Sequence, residues 1–363
     1  MQNINTQELI AMGYNEFFEE GRKAMGLERF LVARVISEYR GGYKVKTGDE
    51  EFLAKITGKQ IYNASSREDY PAVGDWVVIE KLNQDQAVVR GILPRKTILK
   101  RKSAGKDEVQ VIASNIDIVF VVESVNSDYN INRLERYVAL ARDGQIEPAV
   151  VLNKADLVTP EELIVKVSEI QNRMPGVHVI CTSILKESGL QELETYITPR
   201  KTYCFLGSSG VGKSSLVKKL VGDESIKTKS INENTDKGKH TTTSREMYVL
   251  ENGGILIDNP GIREVGLVDS EQGVSGSFED VVVLEKNCKY TDCSHVHEPD
   301  CAVRAAVASG ELSKDKYNNY LNLKKEAGFY KMNTVQKRQK DKRFGKFFKK
   351  KMDELKEYGH KDY

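Results

Sequence analysis

A chain of 363 residues is too long for one undivided core, so two or three domains are expected. Its 55 Lys and Arg nearly cancel its 53 Asp and Glu, leaving +2, so overall charge singles out no partner and only the placement of charge along the chain is informative. No run of about 18 apolar residues is present to span a membrane. The opening MQNINTQELIAMGYNEFF lacks the basic start and apolar run of a secretory signal; a cytoplasmic protein is expected.

Residues 1–26, with apolar Leu9, Met12, Phe17 and Phe18, read as an N-terminal extension forming a short helical lead-in. Residues 27–95 carry short alternating runs broken by Gly and Asp, among them EEFLAKI, DWVVIEKL and QAVVRGILP. Such runs predict a small OB-like β-barrel, a type that often binds single-stranded nucleic acid or RNA loops. The basic, weakly periodic stretch that follows reads as a linker over 96–104.

From 105 to 270 nearly continuous apolar runs (IDIVFVVESV, PAVVLNK, VHVICTS, TYCFLGSSG, GGILIDNPG) alternate with helical patterns at 133–142, 160–173 and 213–221. That alternation predicts a doubly wound α/β domain whose ligand lies at the carboxyl ends of its strands. Cys181 and Cys204 stand alone in these runs and read as small buried hydrophobes.

Three runs end on motifs. GSSGVGKSS satisfies G-x-x-x-x-G-K-[ST] between a strand and a helix, so Gly207, Ser208, Ser209, Gly210, Val211, Gly212, Lys213, Ser214 and Ser215 are expected to wrap phosphates. Backbone N–H groups cradle the oxygens, Lys213 reaches the β and γ phosphates, and Ser214 ligates Mg²⁺. DNPG would be a plain turn by itself; beside a phosphate loop, Asp258 reads as a Mg²⁺ holder and Gly261 as a γ-phosphate contact. In NKAD, Asp156 accepts from the two donors on guanine's edge and thereby selects GTP over ATP, Lys154 lies along the base, and Asn153 ties the loop to its neighbours. CTSIL follows the next strand and offers guanine contacts through Ser183.

The order is unusual, because NKAD precedes the phosphate loop. Read as a cycle, NKAD, TSIL, GSSGVGKS and DNPG follow the ordinary GTPase order opened at another point. Joining old termini and opening the chain elsewhere preserves a sheet, so a circularly permuted P-loop GTPase domain is expected. The chain leaving DNPG enters the C-terminal region directly, which predicts that nucleotide state is read out by moving that region.

Between the phosphate loop and DNPG, one of Thr241, Thr242 and Thr243 is expected to cap Mg²⁺, and Thr242 is the choice. Ile262 follows DNPG where many GTPases carry a water-orienting Gln; its aliphatic side chain cannot orient water, and His240 is the candidate in its place. Slow turnover without a partner follows. The expected catalytic set is thus His240, Lys213 and Thr242, with Mg²⁺ on Ser214, Thr242 and Asp258.

CKYTDCSHVHEPDC places Cys288, Cys293, His295 and Cys301 at spacings that suit one structural Zn²⁺, with His297 a rival ligand that spacing leaves open. Residues 271–363 read as a zinc-stapled helical domain with a basic tail; 331–351 holds ten Lys or Arg against one Asp, a field suited to an RNA backbone.

Together NKAD before GSSGVGKSS, then GKHTTT, DNPGIRE and CKYTDCSHVHEPDC, resemble the circularly permuted, ribosome small-subunit-dependent GTPases of the RsgA or YjeQ family. The resemblance implies an OB domain, a permuted GTPase domain and a zinc domain that bind the 30S subunit and its 16S rRNA. It implies GTP hydrolysis to GDP, stimulated by the ribosome during late subunit maturation. It also assigns the zinc ligands to Cys288, Cys293, His295 and Cys301, makes Ile262 expected, and offers His240 as the water-positioning residue. A monomer is expected. The alternative is an RNA-binding adaptor that uses GTP as a structural or switching ligand with little turnover.

Overall fold

Two helices lead the chain in, α1 (Thr6–Ala11) and α2 (Glu16–Ala24), and the Asn15 side chain caps α2 by accepting from Phe17 N at 3.2 Å. The computed structural model describes residues 6–39, 41–102, 109–186, 188–222, 245–258 and 271–331. Residues 1–5, His240, Thr241, Thr242, Thr243, Gly261, Ile262 and the basic tail after Lys331 lie outside the described residues.

Strands β1 (Leu31–Tyr39), β2 (Gly42–Thr47), β3 (Glu50–Ile56), β4 (Trp76–Lys81) and β5 (Gln86–Ile92), with α3 (Gly58–Asn63) between β3 and β4, follow the lead-in. They pair in the order β1-β2-β3-β5-β4 and close by β4 returning to β1, the OB-like barrel. Alternation decides what each side chain meets. Val77 and Ile79 of β4 fill the barrel with Val35, Val45 and Phe52. Trp76 and Val78 point outward and are buried under Leu9, Met12, Tyr14 and Phe18 of the lead-in. The indole meets the Tyr14 ring edge-on at 4.9 Å.

Residues 98–102 of the expected linker over 96–104 are instead strand. β6 (Ile98–Lys102) pairs antiparallel with β7 (Val109–Ser114), and Leu99, Ile112 and Ala113 are fully buried in the α/β core. Its Lys and Arg obscure the pattern, and the partner strand supplies the hydrogen bonds that local sequence cannot announce.

The α/β unit runs β8 (Ile118–Ser124), α4 (Ile131–Asp143), β9 (Glu147–Asn153), α5 (Pro160–Arg173), β10 (His178–Thr182), α6 (Gln191–Tyr196), β11 (Thr202–Leu206), α7 (Lys213–Val221), β12 (Arg245–Val249) and β13 (Ile255–Asp258). β10-β9-β8-β11-β13 are mutually parallel, and β12 lies antiparallel beside β13. β12 also pairs with β1, so barrel and α/β unit share one 11-stranded sheet. Arg34, 1 % exposed, locks this junction: it donates to Thr202 Oγ1 at 2.8 Å, to Gly74 O at 3.3 Å and to Met12 O. Burial pushes its guanidinium down to about 10.

Helices α8 (Glu271–Ser277), α9 (Glu279–Glu285), α10 (Ala302–Ser309) and α11 (Lys314–Lys331) form the C-terminal module. Phe278, Val281, Val303, Tyr320 and Leu323 join Leu134 and Val138 of α4 in one apolar core. A polar network fixes the orientation. Arg173 reaches Glu135 at 2.7 Å and Asp315 at 2.9 Å, and Lys316 reaches Asp280 at 2.7 Å and Arg173 O at 3.1 Å. Among the described residues no helix is long and apolar enough to cross a membrane.

Candidate functional site

Four motif-bearing strands end on one edge of the sheet. β9 ends at Asn153, β10 at Thr182, β11 at Leu206 and β13 at Asp258, all parallel. Because β11 sits centrally, the loop after it, 207–212, lies between the ends of β13 on one side and β8 and β9 on the other.

The loop's shape needs glycine. Gly212 has φ 104°, and a Cβ there would stand 2.2 Å from Asn153 Nδ2. Asn153 itself is 1 % exposed and donates to Val211 O at 2.8 Å, while Thr182 Oγ1 donates to Asn153 Oδ1 at 3.1 Å. Lys154, in a left-handed conformation (φ 62°), donates through Nζ to Gly210 O at 2.8 Å. Non-glycine residues pay for that conformation, so its retention beside the loop marks a position the surroundings dictate. Two residues of the expected base-reading motif therefore grip the expected phosphate loop directly.

Asp156 is half-buried, and Ser183 donates its hydroxyl to Asp156 Oδ1. The bond uses the Ser183 side chain and leaves its backbone, the part expected to contact guanine, out of it. Lys213 opens α7, and its Nζ donates to Gly207 O at 2.7 Å and to Ser208 O. That places a cation inside the loop at a helix N-terminus, where anionic oxygens are favoured. Ser214 follows on the first turn of α7, exposed, and Asp258 ends β13 next to β11. Thr182 went unnoticed in the sequence; its only signal is that it ends a strand adjacent to NKAD.

The second cluster is in the C-terminal module. Cys288 Sγ, Cys293 Sγ, Cys301 Sγ and one ring nitrogen of His295 all lie within 4.8 Å of one another. Cys288 and Cys301 sulfurs are 3.9 Å apart, and His295 Nδ1 is 3.6 and 3.5 Å from them. Tetrahedral ligands at ordinary Zn–S and Zn–N lengths sit ~3.8 Å (S to S) and ~3.6 Å (S to N) apart, so these donors can hold one metal ion. The other His295 nitrogen, Nε2, lies 2.6 Å from Glu285 Oε1, and Tyr320 and Lys324 donate to the same carboxylate at 2.6 and 2.8 Å. A carboxylate there fixes the ring and leaves Nδ1 free to face a metal ion. His297 is exposed and outside the cluster. Glu285 was missed in the sequence because its link to His295 spans a fold.

The sequence profile of the RsgA GTPase family matches residues 92–268. The chain is 39% identical over 306 residues to "Small ribosomal subunit biogenesis GTPase RsgA 2" of Lactiplantibacillus plantarum, covering 84% of this chain and 86% of that one. It is 40% identical over 339 residues to the protein of the same name from Vibrio parahaemolyticus, covering 93% and 91%. The crystal structure of YjeQ from Thermotoga maritima superimposes with a TM-score of 0.60 at 26% identity, over 82% of this chain and 98% of that chain. YloQ, described as a circularly permuted GTPase, gives 0.59 at 22% identity over 85% and 98%, a likeness of fold. With a permuted phosphate-loop unit, an OB-like barrel and a Cys₃His module in one chain, and relatives of this identity over most of its length, the protein belongs to the RsgA GTPase family of GTP-hydrolysing enzymes.

Proposed function

We propose that this chain acts in the cytoplasm, as a monomer, on the 30S ribosomal subunit late in its maturation, hydrolysing GTP slowly alone and faster on the subunit. The single observation that carries the nucleotide part is the tie between motifs: Asn153 and Lys154 hold Val211 and Gly210, so base reading and phosphate binding share one rigid frame. Asp156, aimed by Ser183, accepts from guanine's N1–H and amine; adenine offers no such pair of donors. The loop 207–215 wraps the phosphates, with the Lys213 ammonium among their oxygens. Ser214, Asp258 and Thr242 would hold Mg²⁺, which would neutralise charge on the β and γ phosphates. Gly261 meets the γ phosphate, and His240 positions the attacking water that Ile262 cannot.

The relatives' name, small ribosomal subunit biogenesis GTPase, supports the partner. An OB-like barrel and a C-terminal sequence rich in Lys and Arg are features that suit a 16S rRNA partner. Cys288, Cys293, His295 and Cys301 hold a structural Zn²⁺ that staples the C-terminal module. Nucleotide state is read out by that module: protection from hydrogen exchange beyond residue 270 that is identical with GDP and with a GTP analogue would refute this part.

The deciding experiment is phosphate release from GTP by the full chain, alone and with 30S subunits, 50S subunits or bulk RNA. Strong stimulation by 30S subunits alone is expected. Equal rates in all four would leave the small subunit unsupported as the partner.

A further inference from the structure

Ser124, the last residue of β8, is 2 % exposed, and its Oγ is buried without a hydrogen-bond partner. Buried hydroxyls are nearly always paired, and an alanine in the same place would carry no desolvation penalty, so the fold alone gives no reason for a serine. Two other buried side-chain atoms among the described residues share this state, Arg22 Nε on α2 and Ser277 Oγ at the end of α8. Ser124 alone lies on the edge where the nucleotide motifs meet.

Its position there is closely defined. Val121 pairs with Leu206, the last residue of β11, and β8 continues to Ser124 beyond that point, beneath the phosphate loop. The loop rests on this extension: a Cβ on Gly207 would stand 2.3 Å from Val122 O. On the other side Ser124 pairs in register with Asn153, whose amide holds Val211 O. Strand alternation sets the face. Phe120 and Val122 pack with Val211 and Leu216 of the phosphate-loop side, whereas Val119 and Val121 pack toward α4. Ser124 follows Phe120 and Val122, so its hydroxyl is on the phosphate-loop side.

We infer that Ser124 is a further positioning residue for guanine nucleotide: its hydroxyl donates to the phosphate-loop backbone when nucleotide is bound, holding the loop against β8 and Asn153. The inference rests on the nucleotide-site reading above. Its role differs from that of Asn153, whose bond to the loop is already present, because the Ser124 bond belongs to the loaded site and adds to nucleotide affinity without adding to the stability of the unloaded fold.

The test uses the full chain and Ser124→Ala, with a fluorescent GDP analogue and thermal unfolding in the absence of nucleotide. The variant should bind GDP ~5- to 10-fold more weakly, the worth of one hydrogen bond. Its Michaelis constant for GTP should rise by the same factor with kcat unchanged, and its unfolding midpoint without nucleotide should match or exceed that of the parent. Unchanged GDP affinity, or a lowered midpoint without nucleotide, overturns the inference, the latter by showing that the hydroxyl serves the fold. A parent chain that binds GDP no better than ADP overturns the nucleotide-site reading itself, and this inference with it.

Discussion

Asp156 and His295 each depend on one neighbour that aims them, and each yields a prediction. The Ser183 hydroxyl bonds one oxygen of Asp156. On the proposed guanine reading, Asp156→Asn turns an acceptor into a donor toward guanine's donors, so GDP affinity should fall at least ~100-fold, the loss of two hydrogen bonds to a charged group. Xanthosine diphosphate, which presents a carbonyl there, should gain affinity; titration of both nucleotides checks it. His295→Ala should abolish binding of one zinc per chain and His297→Ala should leave it intact, as measured by metal content after dialysis, because His295 is 2 % exposed within the cluster and His297 faces solvent. Of these relations, the residue types were legible in the motifs. The Ser183–Asp156 bond was not, because 27 residues separate the partners and only the pairing of β9 with β10 brings them together.

At the scale of elements, the docking of α11 on α4 and α5 turns on a buried carboxylate. Glu135 is fully buried and shared by Arg173 and Asn319. Arg173→Ala would leave this buried charge without a counter-charge, held by Asn319 alone, and urea unfolding should show a loss of about 3–5 kcal/mol. The Arg173 hydrogen bond also holds the Asp315 carboxyl below its ordinary range. A carboxyl depressed in the folded state stabilises above its unfolded value and loses that contribution as pH falls through the folded one. Stability should therefore decline below about pH 4, and Asp315→Asn should flatten that part of the profile in acid unfolding curves. Helices with their own punctuation were readable. α5 opens on Thr159, Pro160 and Glu162, a complete capping box, and occupies the span its pattern marked. β6 was not readable, since its Lys and Arg imitate a linker and its partner β7 lies across residues 103–108.

For the whole molecule, metal removal should separate the modules. Three cysteines and a histidine able to hold one metal ion converge between α9 and α10, and the apolar residues around them continue into the core on α4. Prolonged chelation should raise hydrogen exchange in α10 and α11 while the barrel and β8–β11 keep their protection, because structural zinc sites contribute folding free energy directly. Loss of protection throughout would show that the module and the α/β unit fold as one. Sequence alone determined the motifs and their cyclic order: a G-x-x-x-x-G-K-[ST] loop, an Asn-Lys-x-Asp ahead of it, and a Cys₃His set at metal spacing, all local patterns set by side-chain type and short separation. Tertiary structure alone decided what joins them. The pairing of β12 with β1, the Arg34 clamp, the seating of the C-terminal module on α4 and the unpartnered Ser124 hydroxyl beneath the phosphate loop arise from contacts between residues far apart in the chain, which no local period encodes.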